Sequence, residues 1–142
     1  MDRSPPAEDQ IREAVKAFCF REEVELFILF GSGAIGRTHR GSDMDVALQF
    51  SRGKSVSRLQ LIFELETILD PWTVDLVLLT PETPPLILHE IFIKGKLIHE
   101  KSPGLFEQGR VRAWHLYVDS APLRARLRQH VRQSVRRLTS AS

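Results

Sequence analysis

With 142 residues, 42% of them hydrophobic and 27% charged, the chain is sized for one domain with its own core, which excludes disorder throughout. No apolar stretch reaches the ~18–20 residues of a membrane span, and Met1-Asp2-Arg3-Ser4-Pro5-Pro6 lacks the apolar segment of a secretory signal. A lone cysteine, Cys19, excludes an internal disulfide and a cysteine metal cage, so a soluble protein in a reducing, cytoplasmic setting is expected.

Pro5-Pro6 followed by Ala7-Glu8-Asp9 marks a helix start, with acids at the positive end of the dipole. Ile11, Val15, Phe18 and Cys19 then recur at helical spacing to about Arg21. Residues 24–30 are almost wholly apolar, as in a buried strand, until Gly31-Ser32-Gly33 breaks the run. A second strand is predicted over 44–50, behind the turn-rich His39-Arg40-Gly41-Ser42. Helical spacing over 55–69 (Val56, Leu59, Ile62, Phe63, Leu69) stops before Pro71, and 73–79 is another β-branched, apolar run. Residues 84–94 read as a helix with Gly95 as its C-terminal cap, and 96–99 as a short last strand. Helices are predicted over 106–117 and 122–138, parted near Asp119-Ser120. This alternation argues for an α/β or α+β domain with helices packed on a sheet.

The chemistry concentrates in residues 27–48, where Gly31-Ser32 is followed by ten residues and then Asp43-Met44-Asp45 at the head of a strand. Gly31 permits a sharp turn and a close backbone approach. Ser32 can open a short helix whose free N–H groups suit a phosphate. Asp43 and Asp45, two apart on a strand, point to one face. Two carboxylates that close repel unless a cation lies between them, and hard divalent ions such as Mg²⁺ take oxygen ligands together with substrate phosphates. Asp75 is an acid inside a strand that otherwise reads as core, where an unpaired carboxylate is costly. A metal shared with Asp43 and Asp45 resolves that cost if the two strands are neighbours. Three carboxylates, two metals and a phosphate-binding turn make a phosphoryl- or nucleotidyl-transfer site.

Gly31-Ser32, the ten-residue spacer and Asp43-x-Asp45 resemble the signature of the DNA polymerase beta-like nucleotidyltransferase superfamily. The short chain, beginning one helix before the motif, is similar to the minimal nucleotidyltransferase (MNT) branch over roughly residues 10–100, including Lys94-Gly95-Lys96-Leu97-Ile98. The resemblance implies a mixed β-sheet flanked by helices, with a core over 1–100 and a helical extension over 101–142 that packs on the core or on a partner. It implies that Asp43 and Asp45 bind both Mg²⁺ ions, and that Asp75 binds the catalytic metal and helps deprotonate the acceptor. Gly31 and Ser32 would hold the triphosphate of ATP, with Ser42 and Arg37 as further nucleotide-side residues. Many MNT proteins are antitoxins encoded beside a HEPN ribonuclease toxin, and active members resemble enzymes that move AMP from ATP to a toxin tyrosine. A hetero-oligomer with such a toxin is therefore expected. In one departure, the family often has Arg at the second and fourth positions after Gly, where this chain has Gly33 and Ile35. Arg37, His39 or Arg40 could restore the positive charge. Two alternatives stay open: a non-catalytic antitoxin that masks the toxin, and a transferase acting on a small molecule.

Ser42 could orient Asp43 or serve only as a turn residue, and His39 reads as a solvated loop residue. His89 and His99 lack metal-ligand spacing and receive no role, and Cys19 reads as packing. The formal charge of +2 conceals an asymmetry: residues 120–142 hold six arginines and no acid, leaving a net −4 on the remainder. In that tail Leu123, Leu127, Val131, Val135 and Leu138 form a stripe beside Arg124, Arg128, Arg132 and Arg136. Packing on the chain's own domain, docking on a partner, and contact with RNA or a membrane surface are the three readings. The absence of interleaved aromatics argues against RNA.

Overall fold

The computed structural model of the protein describes residues 6–31 and 43–140. Helix α1 (Glu8–Arg21) starts where the Gln10 side chain accepts the Ala7 N–H at 3.0 Å, with Glu8 and Asp9 in its first turn. Strands β1 (Leu26–Phe30), β2 (Asp43–Gln49), β3 (Thr73–Leu78) and β4 (Lys96–Glu100) form one mixed sheet in the order β3-β2-β1-β4. β1 runs antiparallel to β2 and β4, while β2 and β3 are parallel. A parallel pair needs a crossover, and helix α2 (Arg58–Ile68) supplies it. Helices α3 (Pro85–Phe92), α4 (Leu105–Asp119) and α5 (Ala121–Ser140) complete the five helices among the described residues.

Alternation along each strand divides the core in two. On one face Phe27, Leu29, Met44, Val46, Leu48, Val74, Leu76 and Ile98 meet Ile11, Val15 and Phe18 of α1 and Leu61 and Leu65 of α2. On the other face Leu26, Ile28 and Ala47 meet Leu88, Ile91 and Phe92 of α3 and Ala113 of α4. The sheet edges are occupied, which blunts them against strand addition. On β3 the Val74 N–H donates to Glu66 Oε1 at 3.1 Å. Along β4, Arg12 donates to the Leu97 carbonyl at 2.9 Å and Lys96 pairs with Glu8 at 2.8 Å. The Lys96 bond holds the Glu8 carboxyl below its ordinary value.

The predicted strands and helices all occur, with shifted ends. α2 begins three residues later than predicted, because the Ser57 hydroxyl accepts the Gln60 N–H and sets the first turn. Its buried side also differs. Leu61 and Leu65 face the sheet, while Leu59 and Phe63, both predicted for the apolar stripe, are exposed. Apolar residues lie all round this helix, so local periodicity could not choose a face. Gly95 donates its N–H to Ile91 O at 3.1 Å, but it is not among the left-handed glycines. It is required for closeness instead: a Cβ there would lie 2.1 Å from Ile91 O and 2.8 Å from Leu29 O.

Cys19 is buried, and desolvation pushes its thiol up to about 12. A thiol reagent at pH 8 is expected to leave Cys19 unmodified in the folded protein and to label it only on unfolding. Labelling of the native protein at the rate of a free thiol would contradict this burial. His99 brings its Nε2 within 3.2 Å of Val24 O, and His89 stacks on Tyr117 with ring centroids 3.9 Å apart. Both histidines thus have structural surroundings that their spacing did not suggest.

The predicted extension divides into two unlike parts. α4 joins the core through Leu105, Phe106, Ala113 and Leu116, and Gly109 makes room for the Phe92 ring, which a Cβ would meet at 2.2 Å. α5 does not bury its stripe on the domain: Leu123, Leu127, Val131, Val135 and Leu138 are all exposed.

Candidate active site

The site is built at one end of the sheet, on the face that α3 and α4 cover only in part. Asp43 and Asp45 share that face with Ala47, since residues two apart on β2 point the same way. The parallel register pairs Asp45 with Asp75 and Asp43 with Thr73. Neighbouring strands lie about 4.8 Å apart, so this register places Asp75 directly beside Asp45. On the other side, Asp45 pairs with Phe30, the last residue of β1, and Gly31 follows it. Asp45 is therefore the centre of the patch, flanked by Asp75 on β3 and by the β1 turn.

The structure brings Asp43, Asp45, Asp75 and Gly31 together. Gly31 has φ +66°, a conformation that glycine tolerates at little steric cost. A Cβ at this position would lie 2.2 Å from Asp45 Oδ2 and 3.1 Å from its Cγ. The close approach foreseen for a ligand is thus first an approach of the Asp45 carboxylate to the turn. Ser32, Arg37 and Ser42, together with Ile35, His39 and Arg40, lie outside the described residues.

The burial expected for Asp75 does not occur. Asp43 and Asp75 are exposed and Asp45 is half-buried. β3 is an edge strand, and its start extends beyond the helices that cover the same face further along. The grouping of carboxylates therefore rests on register, not on a desolvation penalty. A residue that the motif did not reveal also belongs here: the Thr73 hydroxyl donates to Asp43 Oδ1. Only the strand register could find it, since Thr73 is 30 positions away in the chain.

Among the described residues, no group of three His, Cys, Asp or Glu side chains is gathered closely enough to hold a metal ion by itself. The aspartates share a face and adjacent register positions rather than converging on one point. Carboxylate oxygens are the ligand type that Mg²⁺ takes, together with waters and substrate phosphates. A cavity of about 490 Å³ lies at the opposite end of the strands, lined by residues including Gln49, Lys54, Leu79 and Arg112, and contains none of the three aspartates.

The polymerase beta nucleotidyltransferase family model matches residues 13–104, which run from within α1 past the end of β4 and contain every site residue named above. No curated protein matches the chain by sequence. Among solved structures, the chain is similar to one from a toxin–antitoxin crystal structure with AMP-PNP, at 23% identity, covering 89% of this chain and 98% of that one with a TM-score of 0.69. It is also similar to a chain from the Shewanella oneidensis complex of a tri-AMPylated HEPN toxin with MNT antitoxin, at 18% identity, 88% and 98% coverage and TM-score 0.67. At these identities the two likenesses establish a shared fold that extends beyond the matched core. With its motif, sheet and aspartate patch in the places that the family model spans, the chain belongs to the polymerase beta nucleotidyltransferase family.

Proposed function

We propose that this chain is an antitoxin of the MNT type that transfers AMP from ATP to a tyrosine hydroxyl of a cognate HEPN ribonuclease toxin. The observation that carries the reading is the register of Asp45 with Asp75 on one exposed face, beside Gly31 at the end of β1. In the reaction an acceptor oxygen gives up its proton and bonds to the α-phosphorus of ATP. The bond from that phosphorus to the bridging oxygen breaks, and pyrophosphate leaves. Asp43, Asp45 and Asp75 would hold the Mg²⁺ ions, which supply charge neutralisation at the phosphates and a more acidic acceptor hydroxyl. Thr73 fixes the Asp43 carboxylate through its hydrogen bond. Asp75 lies at the solvent-exposed side of Asp45, where an incoming acceptor can reach it and its carboxylate can take the proton. Ser32, Arg37 and Ser42 would contact the triphosphate. The likeness to complexes containing AMP-PNP and an AMPylated toxin supports both the nucleotide and the acceptor class.

The test incubates the protein with ATP, Mg²⁺ and the protein encoded beside it, and follows intact masses. Wild type is expected to add AMP to that neighbour, and Asp75→Asn to lose the addition. An unmodified neighbour, together with toxin rescue by Asp75→Asn equal to wild type, would reject the enzymatic reading. The exposed stripe of α5 favours one alternative, neutralisation by binding alone. Under that alternative, Asp43→Asn with Asp45→Asn keeps protection, and truncation after Ser120 abolishes it.

A further inference from the structure

α5 carries two sets of exposed side chains. Leu123, Leu127, Val131, Val135 and Leu138 are 52–76% exposed. They recur every third or fourth residue along about 22 Å of helix. Isolated exposed apolar residues are ordinary on a protein surface, but a continuous stripe of five is the pattern of a contact face. Beside it stand Arg128 and Arg132, both exposed, on a helix without any acid.

The root of this helix is fastened. Arg124 lies over the Tyr117 ring of α4 at 3.5 Å and donates to Tyr117 O at 3.0 Å and to Ser120 Oγ at 3.4 Å. Tyr117 in turn stacks on His89 of α3. Arg124 Nε is enclosed without a hydrogen-bond partner. The first arginine of the row is therefore a clamp that fixes the direction of α5, and the residues beyond it carry the contact face. An arm aimed in advance loses less conformational freedom on binding.

The chemistry of the two rows selects the occupant. Pairing two copies of α5 along their stripes would bring Arg128 and Arg132 of each helix to a shared seam, where like charges repel. A membrane-interface helix carries Trp or Phe as well as Leu on its apolar face, and a single-strand RNA binder has aromatics for stacking. α5 contains no Phe, Trp or Tyr. A Leu/Val stripe edged by cations is instead the form of a helix that enters a protein groove. We infer that α5 is a docking helix, aimed by the Arg124–Tyr117–His89 stack, that seats its stripe in an apolar groove with an acidic rim on a partner protein. This rests on the reading above that the acceptor is a protein, and it assigns the docking surface to a part of the chain remote from the aspartates.

The probe is the protein encoded beside this chain, titrated calorimetrically at two salt concentrations. L127E/V131E is expected to weaken binding on the order of 100-fold, as for the central anchors of an interface. R128E/R132E, which keeps the stripe and the helix, is expected to weaken it about 10-fold and to reduce its salt dependence. Helix content by circular dichroism and the affinity for a fluorescent ATP analogue are expected to match wild type in both variants. Affinities within threefold of wild type for both variants would overturn the docking surface. So would a wild-type dimer in sedimentation that L127E/V131E dissolves, because the occupant would then be a second copy. If the neighbour is AMPylated yet binds every variant alike, the docking inference fails and the proposed activity stands. If a tight complex depends on α5 but no AMP is transferred, the docking inference stands and the activity fails.

Discussion

Asp45→Asn is expected to lower the rate of AMP transfer on the order of 10³-fold with little change in stability. Asp45 sits between Phe30 and Asp75 in the ladder, so it is the carboxylate common to both sides of the patch. Charge stabilisation of a transferring phosphoryl group by a bound cation is worth several kcal/mol, and each ~1.4 kcal/mol is tenfold in rate. Removing one negative ligand forfeits much of it, while the amide keeps the volume of the acid. Gly31→Ala offers a separate check, because it removes no acid. Its new methyl would fall 2.2 Å from Asp45 Oδ2, at a φ that L residues rarely adopt. The Asp45 carboxylate must move, so Gly31→Ala is expected to approach Asp45→Asn in its loss of rate. The measurement is the initial rate of AMP incorporation at saturating ATP. A rate for Asp45→Asn within threefold of wild type would remove this residue from the site.

Gly95→Ala is expected to destabilise the fold by about 3 kcal/mol, at the upper end of what overpacking costs. The added methyl meets two carbonyl oxygens, Ile91 O at the end of α3 and Leu29 O within β1. Neither can withdraw as a flexible side chain would. Relief requires α3 to lift from the sheet, opening the cluster of Leu26, Ile28, Leu88, Ile91 and Phe92. Gly53→Ala is the contrast. Nothing lies within 4 Å of its Cβ, so only its left-handed φ of +85° opposes the change, at about 1–2 kcal/mol. Urea midpoints of the two variants provide the comparison. If Gly95→Ala were no less stable than Gly53→Ala, the close contact between α3 and β1 would be refuted.

The elements were legible because their signals are local. Ile11, Val15 and Phe18 mark the buried side of α1 by spacing alone, and the apolar run before Gly31 marks β1. The shared face of Asp43 and Asp45 follows from the pleat of one strand. Asp75 stands out as an acid in an apolar run, yet the burial that such a run predicts is absent: the residue is exposed. Nothing local marks Thr73, because its hydrogen bond to Asp43 joins two strands separated in sequence by the whole of α2.

The sequence by itself therefore determined the order of strands and helices, the Gly31 turn and the pairing of two aspartates on one face. These depend on backbone periodicity and on neighbours within a few residues. The tertiary structure alone decided that β3 lies parallel to β2 with Asp75 opposite Asp45, and that Leu61 and Leu65 are the residues of α2 that turn inward. It also decided that Gly95 serves a close contact between α3 and β1, and that Arg124 clamps α5 while the Leu/Val stripe beyond it stays open. Each of these is a contact between segments far apart in the chain. Local pattern has no information about such contacts, because the free energy that selects them comes from packing the whole sheet and its helices at once.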